Sequence, residues 1–159
     1  MNIPKLEKWK QNVVFLGCRT GLRVRYETNV DDEVKRACKD FANWLRRNFE
    51  FPKRVTVYVK AAKVIKSCDG EKVFGTFWGP CNKQDEPYIR IATGDYMELL
   101  NKHGKDNALA EILWCMSHEL IHYLQWLNDI TLTIRGLEKQ ASYYADWILT
   151  QYSNTRDHP

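Results

Sequence analysis

Residues 109–127 read as one long helix with commitments on two sides, and this limits the folds open to the chain. Wound at about 100° per residue, Leu109, Leu113, Met116, Leu120, Leu124 and Leu127 form one apolar stripe. His118 and His122 fall nearly opposite it, flanked by Trp114, Cys115 and Ile121 as well as by Glu111 and Gln125. Such a helix sits between a hydrophobic core and a partly covered cleft. Its pattern runs from Asp106 to about Asn128, and a second helical pattern follows from about Gly136 to Tyr152 after the turn-like segment 129–135.

Upstream, residues 31–49 place Val34, Ala37, Cys38, Phe41, Leu45 and Phe49 at helical spacing, with Asp31 and Asp32 at the end where the backbone dipole favours acids. Three strands are expected next, at 54–60, 72–79 and 87–93, from alternation and from β-branched and aromatic residues. An earlier strand or pair of strands is read at 12–17 and 22–26. A helix, then strands, then two helices implies an α+β domain with a small mixed or antiparallel sheet, rather than regular βα alternation.

At 159 residues and 44% hydrophobic, the chain has the size of a single domain, 1–159, with a short tail from about 153 expected to be disordered. The opening residues MNIPKLEKWKQN lack an apolar signal segment and no stretch is long enough for a membrane span, so the expected location is cytoplasmic, without membrane association. Five cysteines, scattered and without a CxxC pair, indicate reduced thiols rather than disulfides or a cysteine zinc knuckle. A net charge of +4 does not call for nucleic acid as a partner. The basic stretch 53–66 is read as a solvated strand face, with a phosphate-binding surface as the less favoured alternative.

The strongest chemical signal is HELIH, residues 118–122. Two histidines four apart on a helix project one turn from each other, close enough for both imidazoles to hold one metal ion. Glu119 is rotated by roughly 100° from His118, which stands it beside the ion as a base instead of a ligand. The plain alternative is two histidines placed on a helix by chance. Against it, half of the four histidines of the chain lie here, on the cleft side of the helix. Cys115 is read as an inert thiol on the same side.

A catalytic zinc keeps three protein ligands and an open position. Asp129 follows too closely to turn back, whereas Glu138 begins the next helix after a connection long enough to reverse direction. It borders the stripe Leu137, Ala141, Tyr144, Ala145, Ile148 and Tyr152, where small residues permit close packing. Metal ligation by Glu138 is favoured over simple decoration of a helix N-terminus. Glu111, Asp129, Ser142 and Asp146 are candidate partners for the imidazoles.

His118-Glu119-Leu120-Ile121-His122 followed by Glu138-Lys139-Gln140-Ala141-Ser142-Tyr143-Tyr144-Ala145 resembles the HExxH plus ExxAxx(aromatic)A pattern of gluzincin-type peptidases, notably the ImmA/IrrE-like proteins and minimal gluzincins. The likeness is close over the C-terminal third and extends upstream only to element order. It implies a zincin-like fold, one Zn2+ per chain on His118, His122 and Glu138, catalysis by Glu119, and hydrolysis of a protein or peptide substrate. By the same analogy, strand 87–93 forms the cleft rim on which an extended substrate pairs. Ser142 stands where many larger gluzincins carry an acid, and no glycine-histidine continuation follows His122 as in a metzincin. No oxyanion stabiliser stands out among Tyr123, Tyr143, Tyr144 and Arg135. The competing functions are a non-catalytic zinc-binding regulatory module and a SprT-like DNA-associated protease using residues 53–66; a further possibility is a latent enzyme with His158 on the metal.

Overall fold

The computed structural model describes residues 21–159, and the candidate strand at 12–17 lies outside them. Asp31 caps the first helix, α1 (Asp32–Asn48), by accepting a hydrogen bond from the Glu33 amide at 2.8 Å. This satisfies one of the amides that the first turn leaves without an intrahelical partner. Val34, Ala37, Cys38, Phe41 and Leu45 are buried on the face expected from their spacing.

Helix α1 connects β1 (Leu22–Tyr26) to β2 (Val55–Lys60), which pair in parallel. Short strands β3 (Ile65–Lys66) and β4 (Lys72–Val73) then form an antiparallel pair of their own. Strand β5 (Gly75–Trp78) runs antiparallel to β6 (Tyr88–Ala92), and β6 runs parallel to β2. The main sheet has the order β1-β2-β6-β5 and is therefore mixed. The β1-α1-β2 crossover makes the first half more α/β in character than element order alone indicates.

Strand 87–93 was expected at the rim; the structure instead places β6 inside the sheet, paired on both sides. The sheet's edge strands are β1 and β5, and β5 is the one that borders the cleft lined by His118 and His122. An aromatic, alternating sequence does not distinguish an inner strand from an edge strand, because both present one face to the core.

Two further helices were expected, and three are present after the sheet. Helix α2 (Tyr96–His103) precedes α3 (Lys105–Leu127), and α4 (Ile134–Ser153) closes the described chain. Gly104, at φ +81, breaks α2 from α3 in a conformation that costs glycine little. Leu109, Leu113, Met116 and Leu120 of α3 enter the same core as Val57, Val59, Ile89 and Ile91 from the sheet. Ile121, on the other side of α3, is also fully buried, so the helix is enclosed on more than one face. No helix among the described residues is long and apolar enough to cross a membrane.

The segment expected as a free tail lies against this body. Arg156 stacks on the Tyr152 ring at 3.8 Å, His158 Nδ1 lies 2.8 Å from Asp106 Oδ2, and the Pro159 carbonyl accepts from Arg36. Asp106 begins α3 about three turns before His118, which keeps His158 away from the histidine pair.

Much of the basic stretch 53–66 is engaged internally. Lys53 is buried and donates to the Gln84 carbonyl, Arg54 pairs with Glu86, Lys60 with Glu27, and Lys63 with Glu98. Cysteines 38, 68, 81 and 115 are all free thiols.

Phe41 is fully buried, edge-on to Tyr152 at 4.7 Å and stacked with Trp44 at 6.1 Å. Truncation there leaves a cavity between α1 and α4. Phe41→Ala is expected to cost about 3–5 kcal/mol in urea unfolding, and a loss below about 1 kcal/mol would show that this junction is not part of the cooperative core.

Candidate metal centre

Helices α3 and α4 pack along their length and bring together three side chains from two places in the sequence. His118 Nε2 lies 3.1 Å from Glu138 Oε2, His122 Nε2 lies 3.2 Å from Glu138 Oε1, and the two Nε2 atoms are 3.2 Å apart. His118, His122 and Glu138 thus converge as a group able to hold a metal ion. Ligands at bonds of about 2.05 Å around a tetrahedral zinc stand about 3.3 Å from one another, and the three separations here come close to that.

The hydrogen bonds around His122 fix which nitrogen faces the centre. Gln125 Nε2 donates to the Leu137 carbonyl at 2.9 Å and to Gln140 Oε1 at 3.0 Å. A backbone carbonyl can only accept, so the amide orientation of Gln125 is set, and its oxygen faces His122 Nδ1 at 2.8 Å. Nδ1 therefore carries the proton and donates it to Gln125, leaving a bare lone pair on Nε2. Around His118, Ser142 Oγ lies 3.5 Å from Nδ1, and Trp114 packs against the ring with centroids 5.1 Å apart. Trp114 is itself held by donating to Asp146 Oδ1 at 2.7 Å.

Two ring nitrogens and a carboxylate converging in this way form a donor set able to hold a cation. Burial, followed by the neighbouring His122, pushes the His118 pKa below the usual histidine value, which favours the neutral ring that a metal ion requires. A divalent ion with nitrogen and oxygen preferences fits the donor set.

Of the four residues considered as partners for the imidazoles, Ser142 is at His118 and Asp146 acts through Trp114. Glu111 instead faces His103 at 3.8 Å and Asp129 pairs with Lys83 at 2.9 Å. Gln125 was seen in the sequence only as a polar neighbour of the histidines. Its place three residues after His122, on the side facing α4, was the available signal.

Glu119 is 7% exposed and does not join the ligand group. Burial, with Glu138 adding to it, pushes its pKa up to about 8. Strand β5 comes very close here: a Cβ on Gly75 would lie 2.8 Å from Cys115 Sγ and 2.9 Å from Glu119 Cγ and Oε1. Any side chain at 75 would displace Glu119 or the thiol. Cys115 itself is pushed up to about 12, chiefly by burial, and is an inert thiol at neutral pH.

The group opens into a cleft of about 1020 Å³ between β5 and the start of α4. Phe74 and Phe77 line it from the strand side, Trp126 from the end of α3, and Ile130, Ile134 and Leu137 from the connection to α4 and its first turns. Tyr123, Tyr143, Tyr144 and Arg135 are not in the lining, and the Tyr123 hydroxyl is spent on the Lys53 carbonyl at 2.6 Å.

Two substitutions test the centre. Glu138→Ala is expected to lose zinc during dialysis against a weak chelator under conditions where the wild type keeps one ion per chain. Gln125→Ala should retain the fold but weaken zinc about 10- to 100-fold in chelator competition; unchanged affinity would mean that this amide does not orient His122. Set against known protein families, curated proteins and solved structures, the chain matches none of them.

Proposed function

We propose that this protein is a zinc-dependent metallopeptidase of zincin-like, gluzincin type that cleaves peptide bonds in a protein or peptide substrate. The observation that carries the reading is the meeting of two imidazoles and a carboxylate at 3.1–3.2 Å with a buried glutamate beside them, at the floor of an open cleft. Three protein ligands with room for a further one are the mark of a catalytic site, whereas structural zinc sites close with four. This favours an enzyme over a purely regulatory zinc module. A DNA contact through the basic stretch 53–66 loses support because most of its cations are already paired within the chain.

Zinc held by His118, His122 and Glu138 would supply a Lewis acid that acidifies water and polarises a carbonyl. Glu119, buried in the same cleft as the ligand group, would serve as the base toward the attacking water and as the acid toward the leaving amine. Its low exposure keeps competing solvent away, and its raised pKa in the absence of metal moves toward the carboxylate range when a dication sits beside it. Gly75 leaves the space in which Glu119 stands. The edge of β5 that faces away from β6 has backbone groups with which an extended chain can pair, as an added antiparallel or parallel strand. Apolar walls at Phe77, Trp126 and Leu137 suit substrate side chains near the scissile bond.

The decisive test compares zinc-loaded wild type with Glu119→Gln on a complex peptide library, reading new termini by mass spectrometry. The variant is expected to keep its zinc while cleavage falls by about 10²- to 10⁴-fold. Equal cleavage by both proteins would remove Glu119 from the mechanism, and zinc-loaded wild type that generates no new termini would remove the peptidase reading. Gly75→Ala should also lose cleavage while keeping zinc, because the added methyl displaces the base and not the ligands.

A further inference from the structure

Strand alternation divides the sheet into two chemically different faces. One carries Val55, Val57, Val59, Ile89 and Ile91 into the core under the helices. The other is built from the intervening positions, and its composition is unusual for a surface that only faces water. In register across it lie Arg25, Tyr58, Arg90 and Thr76, and in the adjacent row Arg23, Thr56, Tyr88 and Trp78. No aspartate or glutamate occupies an outward position in the four strands.

Three aromatic rings on this face form a continuous run. Trp78 stacks on Tyr88 with centroids 5.1 Å apart and planes 25° apart, and Tyr88 meets Tyr58 edge-on at 6.1 Å. Trp78 remains 41% exposed and both tyrosines are half-buried. Arg23 and Arg25 are exposed on the outer strand β1 and form no ion pair among the described residues. Arg90 touches Thr76 Oγ1 at 3.3 Å and the Lys66 carbonyl at 3.4 Å, and has further N–H groups to offer.

We propose that this outer sheet face binds a short single-stranded nucleic acid. The ring surface left open on this face, chiefly that of Trp78 with the uncovered parts of the tyrosines, offers stacking area to unpaired bases, while a duplex hides its base faces within its own stack. The run from Tyr58 to Trp78 has room for about two or three bases. Guanidinium groups on the flanking strand reach phosphates, pair with them in forked geometry, and gain from counterion release. An acidic polypeptide would satisfy the charge but would leave the stacked rings without a matching planar partner. The proposal is independent of the 53–66 lysines and of the metal centre, which lies on the helix side of the sheet.

Fluorescence anisotropy of the full chain with a labelled oligo-dT of about 12 nucleotides at about 50 mM salt tests it. The wild type is expected to bind, with affinity falling linearly in log salt. Arg23→Glu with Arg25→Glu should weaken binding by about tenfold or more. Lys39→Glu with Lys102→Glu makes the same change in net charge at exposed helix positions and should weaken it far less. Trp78→Ala should weaken it by about tenfold with an unchanged circular dichroism spectrum. Glu119→Gln and metal-stripped protein should bind as the wild type does, which separates this surface from the peptidase reading. Absence of wild-type binding, equal losses in the two charge-reversal pairs, or no effect of Trp78→Ala would overturn the proposal. So would displacement by polyglutamate as readily as by unlabelled single strand, which would make the face a site for acidic protein.

Discussion

The candidate centre depends on how α3 is held against α4, because its ligands come from both helices and are separated by up to 20 residues of sequence. Gln125 sits at that junction. One side chain donates twice to α4, at the Leu137 carbonyl and Gln140, and accepts from His122 on its own helix. It is 4% exposed, so each of these hydrogen bonds is made away from competing water and an unmade one would carry the full desolvation cost. The same three contacts set the spacing of the helices, the tautomer of His122 and, through Leu137, the position of Glu138 in the next residue. Ala141 and Ala145, both fully buried on α4, let the backbones approach closely enough for this to happen.

A second close approach, at Gly75, decides what kind of cleft results. If β5 stood further from α3, Glu119 would be hydrated and the cleft would be a shallow groove. With a bare Cα at 75, the strand edge runs directly over the base and next to the ligand group. An extended chain paired on that edge would pass over the histidines. The sheet order matters here, since β6 has both edges occupied and β5 is the edge strand that lines the cleft.

Much of this was legible from spacing. The leucine stripe of α3, the histidine pair opposite it and the packed face of α4 are periodic signals of the most reliable kind, and HExxH needs only one helix to bring its residues together. Helix α2 was missed for a physical reason: YMELLNKH is only about two turns long, too short for its periodicity to stand out, and Asp95 makes no capping bond to mark its start. The parallel pairing of β1, β2 and β6 could not be read either, because it depends on where the α1 crossover packs and not on any strand's own residues. Gln125 escaped notice because a polar residue among histidines on a helix has many ordinary explanations. Its role appears only when the α4 carbonyl it meets is in place.

The neutral character of the groups behind the imidazoles has a consequence for chemistry at the centre. Where a carboxylate backs a metal-bound histidine, it raises the basicity of the ligand and damps the charge of the ion. Here the groups at Nδ1 are an amide oxygen and a hydroxyl, and Asp146, one of the acids on α4, is engaged by Trp114. While Glu71 and Asp129 lie elsewhere in the cleft lining and Asp129 pairs with Lys83, the negative charge next to a bound dication would come chiefly from Glu138, in the ligand group, and the buried Glu119. In the proposed reading each of these carboxylates has a separate task, and a dication would balance the two together. Adding a carboxylate at position 142, as in many larger gluzincins, would shift that balance toward tighter metal binding and a weaker Lewis acid. A serine there would leave more of a bound dication's charge for the water and carbonyl that the proposed reaction requires.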